Sequence, residues 1–471
     1  MPWIVPNAAR DDTTKMLGDK IMDEKIIELE TVMELLEGRH FAELRELLRD
    51  ANTIDVAQLL GEVPDDKLLL LFRLLPKEDA ADVFSEMEHE EQETLIRAFN
   101  DREIKDVLEE MYIDDAVDMI EEMPAVVVNK ILRHADPQTR KEINELLKYP
   151  EDSAGSVMTT EYMSLRSNMT VADSFERIRR TADEKEDIYT CYVVSPSRKL
   201  QGTVSLKDMF LVSKDTLIGD IMETNVISAN TLDDQEQVAK DMAKYNLTAI
   251  PIVDQEHRLV GIVTVDDAID VIQEENTEDI EMMAAITPTD KPYISTGFFE
   301  TYKKRIPWLL LLMISATFTG AIITKYESAL GKYVILTAYI PMLMDTGGNA
   351  GSQASVSIIR GLSLDEIEFK DIFRIQGKEL LVALLCGITL AVANFVKLLY
   401  FDKVTVVIAL VVCFTLMLTV SVAKFVGCSL PILAKRVGFD PAVMASPFIT
   451  TIVDAISLII YFQLASHILD M

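Results

Sequence analysis

The stretch from 445 to 462, ASPFITTIVDAISLIIYF, is an apolar run of membrane-spanning character interrupted by one carboxylate, Asp454. In an α-helix Thr450, Thr451, Ser457 and Tyr461 stand at i−4, i−3, i+3 and i+7 from Asp454, so they form a polar stripe on an otherwise apolar cylinder. At 1.5 Å per residue Asp454 lies about 15 Å from Ala445, near the midplane of a bilayer. A charge there costs about 2.5–3.5 kcal/mol and faces a partner or water. Two readings follow: Asp454 lines a cation pathway, or it forms a buried ion pair with Lys424 of the preceding apolar run. A second segment, PMLMDTGGNAGSQASVSIIRGL, sets Asp345 and Asn349 one helical turn apart and adds Gln353. Its Gly347, Gly348 and Gly351 suit either close helix packing or a loosened helix whose carbonyls face a cavity. Together the two segments offer oxygen ligands without thiols or imidazoles, a set that fits a hard, partly hydrated cation such as Mg²⁺ and argues against zinc or copper.

Further carboxylates cluster outside the apolar runs. IDDAVD places Asp114 and Asp118 on one helical face, LPKEDAADVF holds Asp82, and TVDDAIDVIQEENTEDIEMM gathers Asp267, Asp270, Glu275, Glu278 and Asp279. Like charges four residues apart destabilise a helix unless a cation offsets them. A solvated surface is the plain alternative.

The elements that must position these groups are legible in the 471-residue chain. Residues 301–471 carry 11 acidic and 14 basic side chains, leaving 66 acidic and 31 basic for residues 1–300. So acidic a region repels nucleic acid and attracts cations. Cys191, Cys386, Cys413 and Cys428 show no metal or disulfide spacing, which suits a reducing compartment. The start, MPWIVPNAARDDTTK, has neither a basic head nor an apolar core, so no signal peptide is expected. Apolar runs at 306–324, 334–359, 379–400, 404–433 and 445–466 predict five membrane spans. Lys303, Lys304 and Arg305 before the first, with Arg360, Lys370, Arg374, Lys378, Lys435 and Arg436 in later loops, place residues 1–304 in the cytoplasm and Met471 outside. No P-loop, nucleophile elbow, HExxH motif or paired catalytic carboxylates are present, so no enzyme is expected.

Residues 152–272 contain an internal repeat: VMTTEYMSLRSNMTVADSFERI matches IMETNVISANTLDDQEQVAKDM, and Gly202 and Asp208 recur as Gly261 and Asp267. Each copy reads as extended segment, helix, two strands and helix, and resembles one member of a tandem pair of CBS domains. Whether that pair takes a nucleotide is open. Residues 20–148 read as short amphipathic helices broken at Pro64, Pro76 and Pro124, which must stack on one another as a solenoid.

The order of these parts resembles the MgtE family of magnesium channels and transporters over nearly the whole chain. The resemblance implies an acidic helical domain at 1–151, tandem CBS domains at 152–272, a connecting plug helix at 273–304 and a five-helix transmembrane pore domain at 305–471. It further implies a homodimer in the plasma membrane that imports Mg²⁺ through a pore between the second and fifth spans, gated by intracellular Mg²⁺. A proton- or sodium-coupled divalent transporter is the alternative. Carried over, Asp454, Asn349, Asp345, Gly348 and Thr450 are the pore ligands. Asp82, Asp114, Asp118, Asp234, Glu236, Asp267, Asp270, Glu275, Glu278, Asp279 and Asp440 are the regulatory ones. Asn246 departs from the family pattern, which has an acidic residue there.

Overall fold

A computed structural model describes residues 28–471 apart from 290–292, 295, 445, 470 and 471. The expectations for the first 27 residues and for Met471 fall outside the described residues. The chain divides into two compact units, Met1–Ile269 and Asp270–Met471.

The first unit begins with ten described short helices, α1 to α10, from Leu29–Glu37 to Pro137–Leu146. Each is 8 to 10 residues long, too short to be stable alone. Proline starts three of them, because Pro64, Pro76 and Pro124 are the N-caps of α4 (Asp65–Phe72), α5 (Lys77–Ser85) and α9 (Ala125–His134). Elsewhere side chains do the capping: Asn100 and Glu103 form a reciprocal capping box, and Asp136 caps a helix opening on Pro137. What the helices lack in length they regain by stacking, with Leu44, Leu60, Leu71, Phe84, Leu95 and Ile104 fully buried.

The repeat follows as two three-stranded sheets. In the first, β1 (Tyr162–Leu165) runs parallel to β2 (Asp187–Val194), and β2 antiparallel to β3 (Leu200–Ser205). The second repeats this with β4 (Ala229–Asn230), β5 (Ala249–Val253) and β6 (Leu259–Thr264). Helices α11 (Val171–Thr181) and α14 (Gln235–Tyr245) occupy matching places, as the sequence repeat predicts. The copies share a core of Tyr192, Val194 and Leu200 with Val253, Leu259 and Ile262. They also exchange chain: Thr203 bridges Glu223, and Thr159 bridges Ile262. Gly202 and Gly261 recur because a Cβ at either would come within 2.6 Å of the crossing carbonyl, Glu223 O or Thr159 O.

Helix α15 (Val265–Met283) runs across the division between the units. The single connecting helix expected at 273–304 is corrected here. Ala285 takes a left-handed φ of 56° and the Ile286 N–H returns to the Glu281 carbonyl, a helix-terminating arrangement. Phe298–Arg305 instead opens the next long helix, α16 (Phe298–Lys325).

The second unit contains α16, α17 (Glu327–Lys332), α18 (Ile340–Ser363), α19 (Ile372–Tyr400), α20 (Val406–Val437) and α21 (Ser446–Ile468). Four helical stretches, Phe298–Lys325, Phe369–Tyr400, Val406–Val437 and Ala442–Ile468, are long and apolar enough to cross a membrane. α18 has the length but falls outside this set, since its Gly, Ser, Asn and Gln residues dilute its apolar ones. The second predicted span also starts late, because Val334–Tyr339 is a 3₁₀ segment. α20 is the hub, packed by α18, α19 and α21. α16 buries no side chain and leaves Leu309, Met313 and Phe318 exposed, as a lipid-facing helix does.

Candidate cation sites

In the first unit the carboxylates converge where helices and strands begin. Asp114 is the second residue of α8 (Ile113–Glu122). Glu161 and Glu186 immediately precede β1 and β2, and Asp266 and Asp267 stand in the first turn of α15. Ligand oxygens of Asp114, Glu161 and Glu186 all lie within 4.8 Å of one another, as do those of Glu186, Asp266 and Asp267. Glu186 is therefore the hinge of the group. Glu161 accepts the Ile113 N–H at 3.3 Å and ties β1 to the start of α8. Asp267 accepts from the Thr264 hydroxyl at 2.5 Å. Helix N-termini favour anions, but not enough for five carboxylates.

Asp114 is 6% exposed, and its Oδ1 and the Oε2 of Glu186 are buried without a hydrogen-bond partner. Such orphan oxygens are costly unless a proton or a cation meets them. Burial first, then Glu186 and Asp267, drives the Asp114 carboxyl well above the ordinary carboxylate range. Burial also lifts Asp115 to about 7 and Glu186 to about 8, with Asp267 adding to both. An all-oxygen, electron-rich set of this kind fits a hard divalent cation.

Of the residues expected to regulate, Asp114 and Asp267 enter this cluster. Asp118 is exposed one turn beyond Asp114. Asp82 is exposed on α5, and its carboxyl is raised by partial burial and then by Asp79 and Glu110. Asp234 caps α14 by accepting the Gln237 N–H, and Glu236 pairs with Lys240 at 2.5 Å. Asp270, Glu275, Glu278 and Asp279 follow on α15 in the second unit, where Asp270 accepts from Gln273 at 3.3 Å. Asp440 accepts the Ala442 N–H at 2.7 Å and so caps the 3₁₀ turn before α21. Asn246, the departure from pattern, ends α14 with φ 53°, a left-handed position that asparagine tolerates better than a carboxylate of glutamate length. Glu161, Glu186, Asp115 and Asp266 escaped the sequence reading. A signal was present: the second repeat has Asn225 and Tyr245 at the places of Glu161 and Glu186, so the acid is confined to one copy.

In the second unit α18 is continuous from Ile340 to Ser363, so the loosened helix is not formed. Gly347, Gly348 and Gly351 are buried for close packing. A Cβ on Gly348 would come 2.5 Å from Thr450 Cγ2, and one on Gly351 would come 2.7 Å from Ile449 Cγ2. The opposite face carries Asp345, Asn349 and Gln353, all exposed. With Cys386, Thr389 and Lys424 they line a cavity of ≈ 470 Å³. Asp454, half-buried on α21, has Asp345 as its electrostatic neighbour. Its polar stripe is divided: Thr451 bonds back to the Pro447 carbonyl, and the Tyr461 hydroxyl donates to Leu336 O at 3.0 Å inside the core.

The ion-pair reading of Asp454 is overturned. Lys424 pairs with Glu379 of α19 at 3.4 Å, both side chains being largely buried. Among the described residues no cation lies within ion-pair distance of Asp454. Glu379 was missed because it opens an apolar run and reads as a residue of the loop end.

Comparison with known proteins agrees with this division. Family models match at residues 340–464 (MgtE, divalent cation transporter), 51–152 (MgtE intracellular N domain), and 154–215 and 218–274 (CBS domain). The magnesium transporter MgtE of Thermus thermophilus is 36% identical over 453 residues, 95% of this chain and 100% of the relative. That of Bacillus subtilis is 31% identical over 455 residues, 96% and 99% of the two chains. A crystal structure of the cytosolic domain of the Mg²⁺ channel MgtE in complex with ATP is 37% identical with a TM-score of 0.50, covering 52% of this chain and 100% of its own. These relatives are transporters and not enzymes. With an acidic helical domain, a CBS pair and a C-terminal region of helices long and apolar enough to cross a membrane, this chain belongs to the MgtE family of magnesium transporters.

Proposed function

We propose that the protein is a Mg²⁺-selective channel that imports Mg²⁺ across the plasma membrane and is shut by Mg²⁺ bound to its cytoplasmic carboxylates. The observation that carries this reading is the cluster around Asp114, whose buried, unpartnered oxygens are of the kind a hard cation satisfies. Glu161, Glu186, Asp266 and Asp267 join Asp114 as ligands. At low Mg²⁺ these groups repel, and binding of the ion draws them together; a ligand that prefers one state shifts the population toward it. Asp118, Asp82, Asp234, Glu236, Asp270, Glu275, Glu278, Asp279 and Asp440 take part as further acidic positions, with α15 as the plug.

The pathway runs along the oxygen-bearing face of α18, with Asp345 and Asn349, and past Asp454 and Thr450 of α21. Gly348 serves it by letting α21 approach. α18 is the second of five spans, its polar face shielded by a second copy of the chain, which makes the functional unit a homodimer. The N-terminal domains are cytoplasmic and the C-terminus is outside. The relative solved with ATP supports a nucleotide on the CBS pair as well, testable by equilibrium dialysis of the full chain with labelled ATP.

The deciding experiment is Mg²⁺ flux into liposomes with the purified chain. A channel carries Mg²⁺ without a proton or sodium gradient and closes when internal Mg²⁺ rises; Asp114→Asn with Glu186→Gln keeps it open at levels that shut the parent. Flux that requires a coupling gradient, or closure unaffected by the double change, contradicts the reading.

A further inference from the structure

Lys424 and Glu379 form an ion pair, largely withdrawn from water, inside a bundle of membrane-length helices. Lys424 is 5% exposed and Glu379 is its only hydrogen-bonding or ion-pair partner among the described residues, at 3.4 Å. An ammonium has three donors, and this pair uses one of them. The two ends of the pair are placed differently. Lys424 lines the cavity beside Asp345, Asn349 and Gln353, whereas Glu379 is not among its lining residues. Of the pair, the lysine and not the glutamate belongs to the cavity wall.

Backbone packing fixes that placement. Next to Lys424, the Ala423 carbonyl would be 3.2 Å from a Cβ on Gly351, and a Cβ on Gly427 would overlap the Gly351 carbonyl. α18 and α20 thus touch main chain to main chain at this level, and neither can slide without a clash. A second link, Gln376 Nε2 to Ser429 Oγ at 3.0 Å, ties α19 to α20. Intramembrane charges are expensive, and a structural cross-link alone would not need its lysine in a cavity wall that also carries Asp345, Asn349 and Gln353.

We propose that Lys424, held by Glu379, sets the electrostatic potential of this cavity and so limits how tightly its oxygen-lined wall holds a divalent cation. An ion site in a pathway has to bind well enough to admit the ion and weakly enough to release it. The fixed ammonium offsets the Asp345 carboxylate, while Glu379 holds the ammonium in place. The inference rests on reading α18 as lining a cation pathway.

Cys386 lines the same cavity, whereas Cys191, Cys413 and Cys428 are buried. With those three changed to alanine in the full chain, Cys386 is labelled by cationic and anionic methanethiosulfonates of matched size, and a neutral one corrects for access. Glu379→Gln lowers the cationic-to-anionic rate ratio by roughly 3- to 10-fold, Lys424→Met raises it by roughly the same factor, and the double variant returns near the parent. In flux, Glu379→Gln raises the half-saturating Mg²⁺ concentration and Lys424→Met lowers it. A purely structural pair moves both single variants in the same direction, or leaves the ratio unchanged, and either result overturns the proposal. So does a cavity that reacts only with the neutral reagent. If a single variant does not fold, the exchanged pair K424E/E379K keeps an ion pair but turns the carboxylate to the cavity; it has to raise the ratio, and an unchanged ratio overturns the proposal. The labelling needs no transport, so its failure is distinguishable from failure of the channel reading.

Discussion

Asp114 and Glu379 are both carboxylates largely withdrawn from water, in separate units of the molecule, and their company is opposite. Glu379 has an ammonium 3.4 Å away. Asp114 has Glu161 and Glu186 within 4.8 Å and an oxygen that nothing satisfies. A paired charge is a fixture, because breaking it leaves an uncompensated ion in a poor solvent. An unpaired cluster carries an excess of like charge that a proton or a cation relieves. The contrast separates paired charges from unpaired ones, and Asp454, with no cation within ion-pair distance among the described residues, falls with the second kind.

The contrast breaks most visibly at Asp454. Asp454→Asn, which keeps shape and removes charge, lowers Mg²⁺ flux in liposomes at least about tenfold without moving the unfolding temperature in detergent. Adding Lys424→Met does not restore it; a rescue would place Asp454 among the paired charges after all.

A smaller effect sharpens the other half of the comparison. Mg²⁺ slows amide exchange in α8 and in the strands after Glu161 and Glu186 of the full chain, by an amount worth about 2–3 kcal/mol near a hundredfold excess over Kd. Asp114→Asn or Glu186→Gln removes most of that protection. Without Mg²⁺ the same variants are no less protected than the parent, since a repelling carboxylate has been deleted.

Acidity gives the next smaller signal. These carboxyls hold protons more tightly in the fold than in the unfolded chain, where they titrate near 4. The metal-free first unit is thus most stable below pH 4 as far as these groups are concerned, and loses that contribution as pH rises through about 7 for Asp115 and about 8 for Glu186. In chelator, exchange in α8 speeds up between pH 6 and 8.5 beyond the chemical rate; with saturating Mg²⁺ that excess disappears. The smallest effect is at Asn246, whose backbone and not its charge is used: Asn246→Gly is near neutral, and Asn246→Glu costs about 1 kcal/mol of stability.

Much of this was legible in sequence because it follows from periodicity. The proline-started helices, the repeat with its paired glycines and four of the five long apolar runs appear as expected. The connecting helix was misjudged because its end depends on Ala285 entering a left-handed conformation that no residue type announces. The glycines of α18 fit two physical uses equally well until Thr450 and Ile449 are seen against them. Glu161 and Glu186 lay hidden for a different reason. They sit at strand entrances separated in sequence, and only the fold brings them to Asp114.

The exchange of chain between the repeats bears on how the protein is made. Thr159 cannot find its partner until Ile262 has been synthesised about a hundred residues later, some 5–20 s at usual rates of translation. Until then the first repeat is a nascent domain with an open seam. Its apolar β2, with Tyr192 and Val193 destined for full burial, has to wait beside a ribosome that is about to deliver the membrane helices. Assembly of the cytosolic half is therefore timed by the arrival of β6, only some thirty residues ahead of the first long apolar helix.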